Sequence, residues 1–486
     1  MNKSVGSWVL LLVAAGGCQT VDEAQSVTDV SGALSAAPIE LIAIGTLDAS
    51  GPDLASQTAG ALENGVAGNL LGGLGSGIAH AGGTKFLSVP DRGPNAVAYD
   101  SAIDDTTSYI VRFQTLKLKL KPSAASSALP FEIAPKLKDT TLLSSKDSLV
   151  YSSGVGLGVG NGAPALNDKK HFYFSGRSDN FDPTKPSTDA KNARFDPESI
   201  RVAPDGKSVF ISDEYGPHIY QFDRSSGRRI AVIALPASFA AANSSPQGAL
   251  EISGNSSGRV SNKGMEGLAI TPDGSALVGV MQSPLIQDGG TDAAYTRLIR
   301  IELATGNSAQ YAYPLTNIGT PEKPKYPTIS DIVAVNDHEF LVDERDGKGL
   351  GDNSTAAFKQ IQHIDLNGAA DVSGLSGAAN LASKAISKTT LIDVVAVLNA
   401  HGVASQDIPA KLEGLAFGKD LSVDGEIKHV LYLSNDNDFL STITDTNHPN
   451  GLANPNRFYV FAIDESVLPG YVAQSHSKED EADDAD

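Results

Sequence analysis

Four acids, Glu198, Glu266, Asp331 and Glu413, each open a short apolar run. A turn follows, and a second apolar run ends in further acids, amides or arginines. These closing groups are Asp91-Arg92, Asp213-Glu214, Gln282, Asp343-Glu344-Arg345 and Asn435-Asp436. Carboxylates gathered at one spot repel and retain their protons unless a cation neutralises them. Many hard oxygen donors suit Ca2+ best, with Mg2+ and Mn2+ as alternatives. The candidate metal ligands are Glu198, Glu266, Asp331, Glu413, Asp91, Asp213, Glu214, Asp343 and Asp436. Glu266, Glu198 and Glu413 are also candidate catalytic groups. Arg92 and Arg345 are candidates for stabilising charge that develops on a substrate. The competing reading is that each acid caps its own hairpin and each arginine pairs with a neighbouring carboxylate.

An antiparallel hairpin brings its first and last residues to one end, which is what such a site requires. Ser76 to Asp91 and Glu198 to Asp213 both span fifteen residues, and Glu266 to Gln282 spans sixteen. Asp331 to Asp343 spans twelve, as a shorter turn would give, and Glu413 to Asn435 is lengthened by Lys419–Lys428. Two turns, Pro204-Asp-Gly206 and Pro272-Asp-Gly274, read Pro-Asp-Gly, a hairpin signal. A third and often a fourth apolar strand follow each pair, so the repeat predicts a single all-β propeller. Five blades are visible, and a sixth is expected from residues 130–180, with Thr141-Leu-Leu143 and Phe172-Tyr-Phe174 as strands. Ile39–Gly45 should pair with the last copy and close the ring, which removes open sheet edges. Insertions fall at 121–194, 236–262, 303–326 and 367–410; only the last has helical spacing, over Ala378–Ile386 and Thr389–Asn399.

Stacked around an axis, these blades should deliver Glu198, Glu266, Asp331 and Glu413 to one channel mouth. His218 is a further candidate acid or base, though a lone loop histidine is more often inert. Lys263 and Lys411 read as solvent-facing rim residues. Gly254-Asn-Ser256-Ser-Gly258 fits the esterase pattern G-x-S-x-G but lacks the buried strand before it and the helix after it. The glycines of Gly154–Gly162 have no Lys-Ser/Thr and no helix after them, so they do not form a phosphate loop. Nine histidines show no zinc spacing, and one cysteine excludes a thiolate site.

Net charge is −20, which disfavours nucleic acid and anionic lipid as partners. Residues 1–18 read as a processing signal. Lys3 precedes a short apolar run, and Ala15-Gly16-Gly17-Cys18 resembles a bacterial lipobox with Cys18 as the lipidated residue. An ordinary secretory signal is the alternative. Residues 19–37 read as a tether, 38–470 as the propeller and 471–486 as an acidic disordered tail. These features imply an exported monomer in the periplasm or at the outer membrane, touching a membrane only through its lipid.

Asp91-Arg-Gly-Pro-Asn95, Phe195-Asp-Pro-Glu-Ser-Ile200, Ser212-Asp-Glu-Tyr-Gly216, Met265-Glu-Gly-Leu-Ala269, Val342-Asp-Glu-Arg-Asp346 and Leu412-Glu-Gly-Leu-Ala416 together resemble the bacterial phytase-like propeller family, described by an esterase-like activity of phytase. The resemblance covers about residues 70–464. It implies an extracytoplasmic propeller acting as an esterase or phosphoesterase on a small molecule. A metal-dependent ester hydrolase is therefore the leading expectation. A non-enzymatic binding propeller and a Ca2+-dependent lactonase-type hydrolase are the alternatives.

Overall fold

Short apolar strands separated by glycine turns have one economical outcome, the hairpin, and here hairpins pair into four-stranded blades. The computed structural model describes residues 28–30, 34, 37–94, 103–151 and 162–476. It is a propeller of five blades. Blade one is Gly77–His80, Lys85–Val89, Arg112–Lys117 and Lys136–Leu142; blade two is Pro197–Val202, Ser208–Asp213, His218–Asp223 and Arg229–Ala234. Blade three is Met265–Ile270, Ala276–Met281, Tyr295–Glu302 and Ser308–Pro314; blade four is Thr328–Ala334, Glu339–Arg345, Lys359–Asp365 and Lys388–Asp393. Blade five takes Lys411–Phe417, Glu426–Asp436 and Asn456–Asp464 from the end of the chain and Ile39–Leu47 from its beginning. That last antiparallel pairing, Ile39 opposite Ile463 through Leu47 opposite Asn456, closes the ring as the sequence predicts.

Among the described residues the expected sixth blade does not form. Thr141 and Leu142 belong to the outer strand of blade one, and Phe172–Tyr173 pairs only with Ser144–Ser145 in a small ribbon. Both candidate strands were real but too short to sustain a sheet of their own. The helical reading of 389–399 is half right. Lys388–Asp393 is the outer strand of blade four, where Thr389, Thr390 and Ile392 suit a β conformation, and the helix runs only over Val394–Ala400. Asp393 starts that helix by accepting a hydrogen bond from the Ala396 amide at 3.0 Å. Ala378–Ala382 is helical, and a further helix, Gly248–Ser253, was not anticipated.

Five hydrophobic layers fill the five gaps between neighbouring blades. Leu87 and Phe113 of blade one, for example, meet Ile200 and Tyr220 of blade two. Around the axis the first strands come very close. A Cβ on Gly77 would lie 2.7 Å from Ser199 Cα, and one on Gly267 would lie 2.9 Å from Asp331 Cα. The glycine in the repeated Glu-Gly-Leu-Ala motif is thus explained by strand contact at the axis. Of the expected tether, Thr28–Val30 adds in parallel to Leu421–Val423. Cys18 and the glycines at 154–160 lie outside the described residues. Among the described residues no helix is long and apolar enough to cross a membrane.

Candidate functional site

In blades two to five the first strand slips register near its start, between Pro197 and Ile200, Met265 and Gly267, Ile329 and Ile332, and Leu412 and Leu415. Such bulges re-aim side chains. Counting back from the paired residues Ile78, Ile200, Leu268, Ile332 and Leu415 identifies the equivalent mouth positions as Ser76, Glu198, Glu266, Ser330 and Glu413. Beyond the second strands lies a matching tier of Asp91, Glu214, Gln282, Arg345 and Asp436. Asp91, Glu214 and Gln282 each fall just past their strand, while Arg345 and Asp436 are the last residues of theirs.

The two tiers surround a cavity of about 560 Å³ lined by Asp91, Arg92, Glu198, Glu214, Glu266, Gln282, Arg345, Glu413 and Asp436. Lys263 and Lys411 also line it, so neither is the plain rim residue the sequence suggested. Lys263 donates to Gln282 Oε1 at 3.0 Å, and Lys411 to Asp436 Oδ2 at 2.8 Å and to Asp438. Arg92 donates to Asp196 at 2.8 Å and Arg345 to Glu413, so both arginines are paired with carboxylates.

Asp331 is not at this mouth. It sits one residue further in, where the equivalent residues are Gly77, Ser199, Gly267 and Gly414, and its carboxylate fills the space they leave. Arg201 Nη2 donates to both of its oxygens at 2.9 Å, and Ser199 Oγ and the Leu415 amide donate to it at 2.9 Å. The pair plugs the channel. A one-residue slip turns a side chain to another direction. Between the equivalent residues, Ser330 and Arg345, blade four spans fifteen residues as Ser76 to Asp91 does, so the short Asp331–Asp343 spacing comes from one residue at the start and two at the end. Asp213 is also turned away from the cavity. It accepts from the Asp196, Tyr215 and Gly216 amides at 3.0–3.2 Å and faces His218. His218 is 1% exposed and its other nitrogen lies 2.9 Å from the Thr188 carbonyl, so it is a packing residue. Asp343 lies outside the cavity lining, buried, with no hydrogen-bond partner among the described residues for either oxygen.

The far end of the channel is closed. Tyr471–His476, expected to begin a disordered tail, crosses it. The Val472 amide donates to Val335 O at 2.8 Å and Gln474 to Val202 O at 2.6 Å, while the Tyr471 ring packs tilted against those of Phe417 and His429. Among the described residues, Arg201 and this strap line a separate pocket, so the mouth cavity and the far end are not one continuous opening.

At the wall of the mouth cavity, Asp196, Glu198 and Glu214 each place a carboxylate oxygen within 4.8 Å of the others; Glu198 and Glu214 line the cavity, and Asp196 lies buried behind them against Arg92. Asp196 was not singled out from the sequence. Its signal was position, directly before Pro197 and opposite Glu214, whose amide donates to the Asp196 carbonyl at 2.9 Å. Burial pushes the Glu198 carboxyl far up, and the negative charges of Glu266, Asp196 and Glu214 add to this. Burial, then Asp196, raises Glu214 to about 7. Asp436 rises to about 7 through burial, opposed by Lys411. Glu266 is raised by burial, Glu214 and Glu413, and its Oε2 has no hydrogen-bond partner among the described residues. An orphaned buried oxygen beside three converging carboxylates, all hard donors, fits a divalent cation.

The G-x-S-x-G segment is confirmed as unrelated to this site. Gly254 ends the helix Gly248–Ser253, and Ser256 is exposed.

A secreted protein of uncharacterised function from Arthroderma benhamiae is 30% identical over 269 residues, covering 48% of this chain and 49% of that one. The chain thus spans about half the length of that curated relative. Among solved structures, the periplasmic gluconolactonase of Pseudomonas aeruginosa aligns over 79% of this chain and 88% of its own at 10% identity and TM-score 0.32. Hydrazine synthase of Kuenenia stuttgartiensis aligns over 75% and 78% at 10% identity and TM-score 0.26. Residues 69–439 match the phytase-like family model, described as the esterase-like activity of phytase, and the chain belongs to that family.

Proposed function

We propose that this chain is an exported hydrolase of phosphate or other esters, working at the acidic mouth with a divalent cation, Ca2+ by donor type. The observation that carries this reading is the meeting of Asp196, Glu198 and Glu214 at the wall of a cavity that is lined by Glu198, Glu214, Lys263, Lys411, Arg92 and Arg345. When bound, the cation would supply Lewis acidity and lower the pKa of a coordinated water.

The chain's own residues have separate tasks. Asp196, Glu198 and Glu214 supply the donors. Glu266, with one unpartnered oxygen and a raised pKa, exchanges a proton with water or leaving group. Glu413 orients Arg345, which also donates from Nε to Ser330 at 2.7 Å and so is held rigid at the cavity wall. Lys263 and Lys411 favour an anionic substrate. The closed far end keeps bulk water to one side. The leader features at residues 1–18 and the secreted relative support export, and Cys18 is the proposed lipidation site. The substrate is a small molecule and the working form a monomer.

The test is a panel of p-nitrophenyl phosphate, carboxylic esters and lactones, assayed with calcium and with chelator. Chelator-sensitive release from an ester is expected, with Glu266→Gln lowering kcat. Turnover of lactones alone would redirect the reading to a lactonase. No turnover across the panel, with calorimetric calcium binding intact, would make the mouth a binding site.

A further inference from the structure

Blade four stands apart at the mouth. Every other blade places a carboxylate in one of the two tiers, whereas blade four places Ser330 and Arg345 there. Around the ring it lies between blades three and five, two places from the Asp196, Glu198 and Glu214 group of blade two. The segment that links blade three to blade four, residues 315–327, brings Ile318, Lys325, Tyr326 and Pro327 to the cavity lining. Lys348 joins them from just past the second strand of blade four.

This wall suits the organic part of a substrate better than it suits a cation. Lys325 and Lys348 are exposed, and neither ammonium has an ion-pair or hydrogen-bond partner among the described residues. The carboxylates on this side are engaged by the protein. Asp346 takes Lys359 at 3.2 Å and the Ala357 and Phe358 amides, and Asp352 takes Ser354 Oγ at 2.6 Å. Beside the lysines the wall is apolar. Ile318 is 37% exposed, and the Tyr326 ring packs on the hydrophobic layer between blades three and four. The segment is also held in shape. The Ile318 amide donates to the Lys325 carbonyl at 2.8 Å, and Asn317 Oδ1 accepts from the Gly319 and Lys325 amides at 2.9 and 3.1 Å. Ile318 and Lys325 therefore stand side by side at the neck of a loop that is already formed. The cavity, about 560 Å³, is of a size that takes a small organic molecule and not merely its charged head.

Resting on the ester-hydrolase reading, we propose that this sector holds the organic body of the substrate and that the body is aromatic. The substrate class is an aryl phosphate, with its phosphate toward blade two and its ring against Ile318, Tyr326 and Pro327. An aromatic ring buries a large apolar area on such a surface. Lys325 and Lys348 draw the anion into the mouth from this side.

The test is titration calorimetry of the intact protein with calcium, using phenylphosphonate and methylphosphonate, which share a charged head and have no ester bond to cleave. Phenylphosphonate should bind more tightly by about tenfold or more, the discrimination that apolar pockets usually give. Ile318→Asn, at an exposed position, should cut that preference to about threefold or less and leave methylphosphonate binding unchanged. Tyr326→Ala should act in the same direction. Equal binding of the two phosphonates overturns this proposal and leaves the ester-hydrolase reading standing. A preference that survives both substitutions overturns the assignment to this segment. Binding of neither phosphonate overturns the proposal together with the phosphate-ester reading on which it rests.

Discussion

Two buried acids on equivalent strands, Asp331 and Glu266, have very different surroundings. Asp331 accepts from Arg201, Ser199 and backbone amides, and every donor aimed at it comes from the channel wall. Glu266 has a carboxylate oxygen with no hydrogen-bond partner among the described residues and lies among Glu198, Glu214 and Glu413 in an open cavity. They differ by one residue of register. The lesson is that burial of an acid says little by itself. Donors and place decide together. Asp331, with its donors complete, holds the fold, while Glu266, short of a donor and lining the cavity, is available for chemistry; Asp343 is equally short of donors but lies outside the cavity.

The strongest way to break this contrast is Asp331→Ala. It strands Arg201, which is 4% exposed, in the middle of the channel. Removing one partner of a buried ion pair typically costs about 3–5 kcal/mol. Urea unfolding should show a loss of that size. A loss under about 1 kcal/mol would mean that the plug contributes little and that the division between structural and reactive acids is wrong.

Glu198→Gln tests the other side. It removes a donor and some repulsion, so stability should hold or rise. Calcium affinity, measured by calorimetry, should fall, and turnover should drop by about 100-fold or more. Unchanged calcium affinity would remove Glu198 from the ligand set.

Much of this was readable in the chain. The hairpin repeat, the closing strand Ile39–Leu47 and the convergence of Glu198, Glu266 and Glu413 follow from strand alternation and turn chemistry, which are local. The identity of the pore plug was not readable, because it depends on which residue the bulge leaves unpaired. Only the pairing of Ile332 with Val342 shows that Ser330, not Asp331, matches Glu266. Asp196 was hidden for a similar reason. It precedes the strand, and nothing in its neighbours announces that the Glu214 backbone bonds to it. The blade count depended on whether 141–143 and 172–174 pair with each other, a long-range question that short apolar runs leave open.

A smaller effect concerns pH. Glu214 and Asp436 are raised to about 7 in the folded cavity from ordinary carboxyl values. Their contribution to stability is therefore complete below the unfolded carboxyl range, near pH ~4, and is lost as pH rises through about 7. In chelator, the melting temperature should increase on acidification from pH ~7.5 to ~5.5, and Asp436→Asn should flatten that slope. With calcium the slope should weaken or reverse, since protons compete with the cation for the same carboxylates. A melting temperature that rises with pH in chelator, unaffected by Asp436→Asn, would contradict the raised values.

The smallest expected effect is Ser256→Ala. Ser256 is exposed, sits just past the helix Gly248–Ser253 and does not line the cavity. Among the described residues no histidine or carboxylate is hydrogen-bonded to it, as activation of a nucleophile would require. Stability should change by less than about 0.5 kcal/mol and turnover not at all. Loss of ester cleavage in this variant would move the chemistry from the acidic mouth to the surface motif. It would also leave the carboxylates of the mouth without a catalytic role.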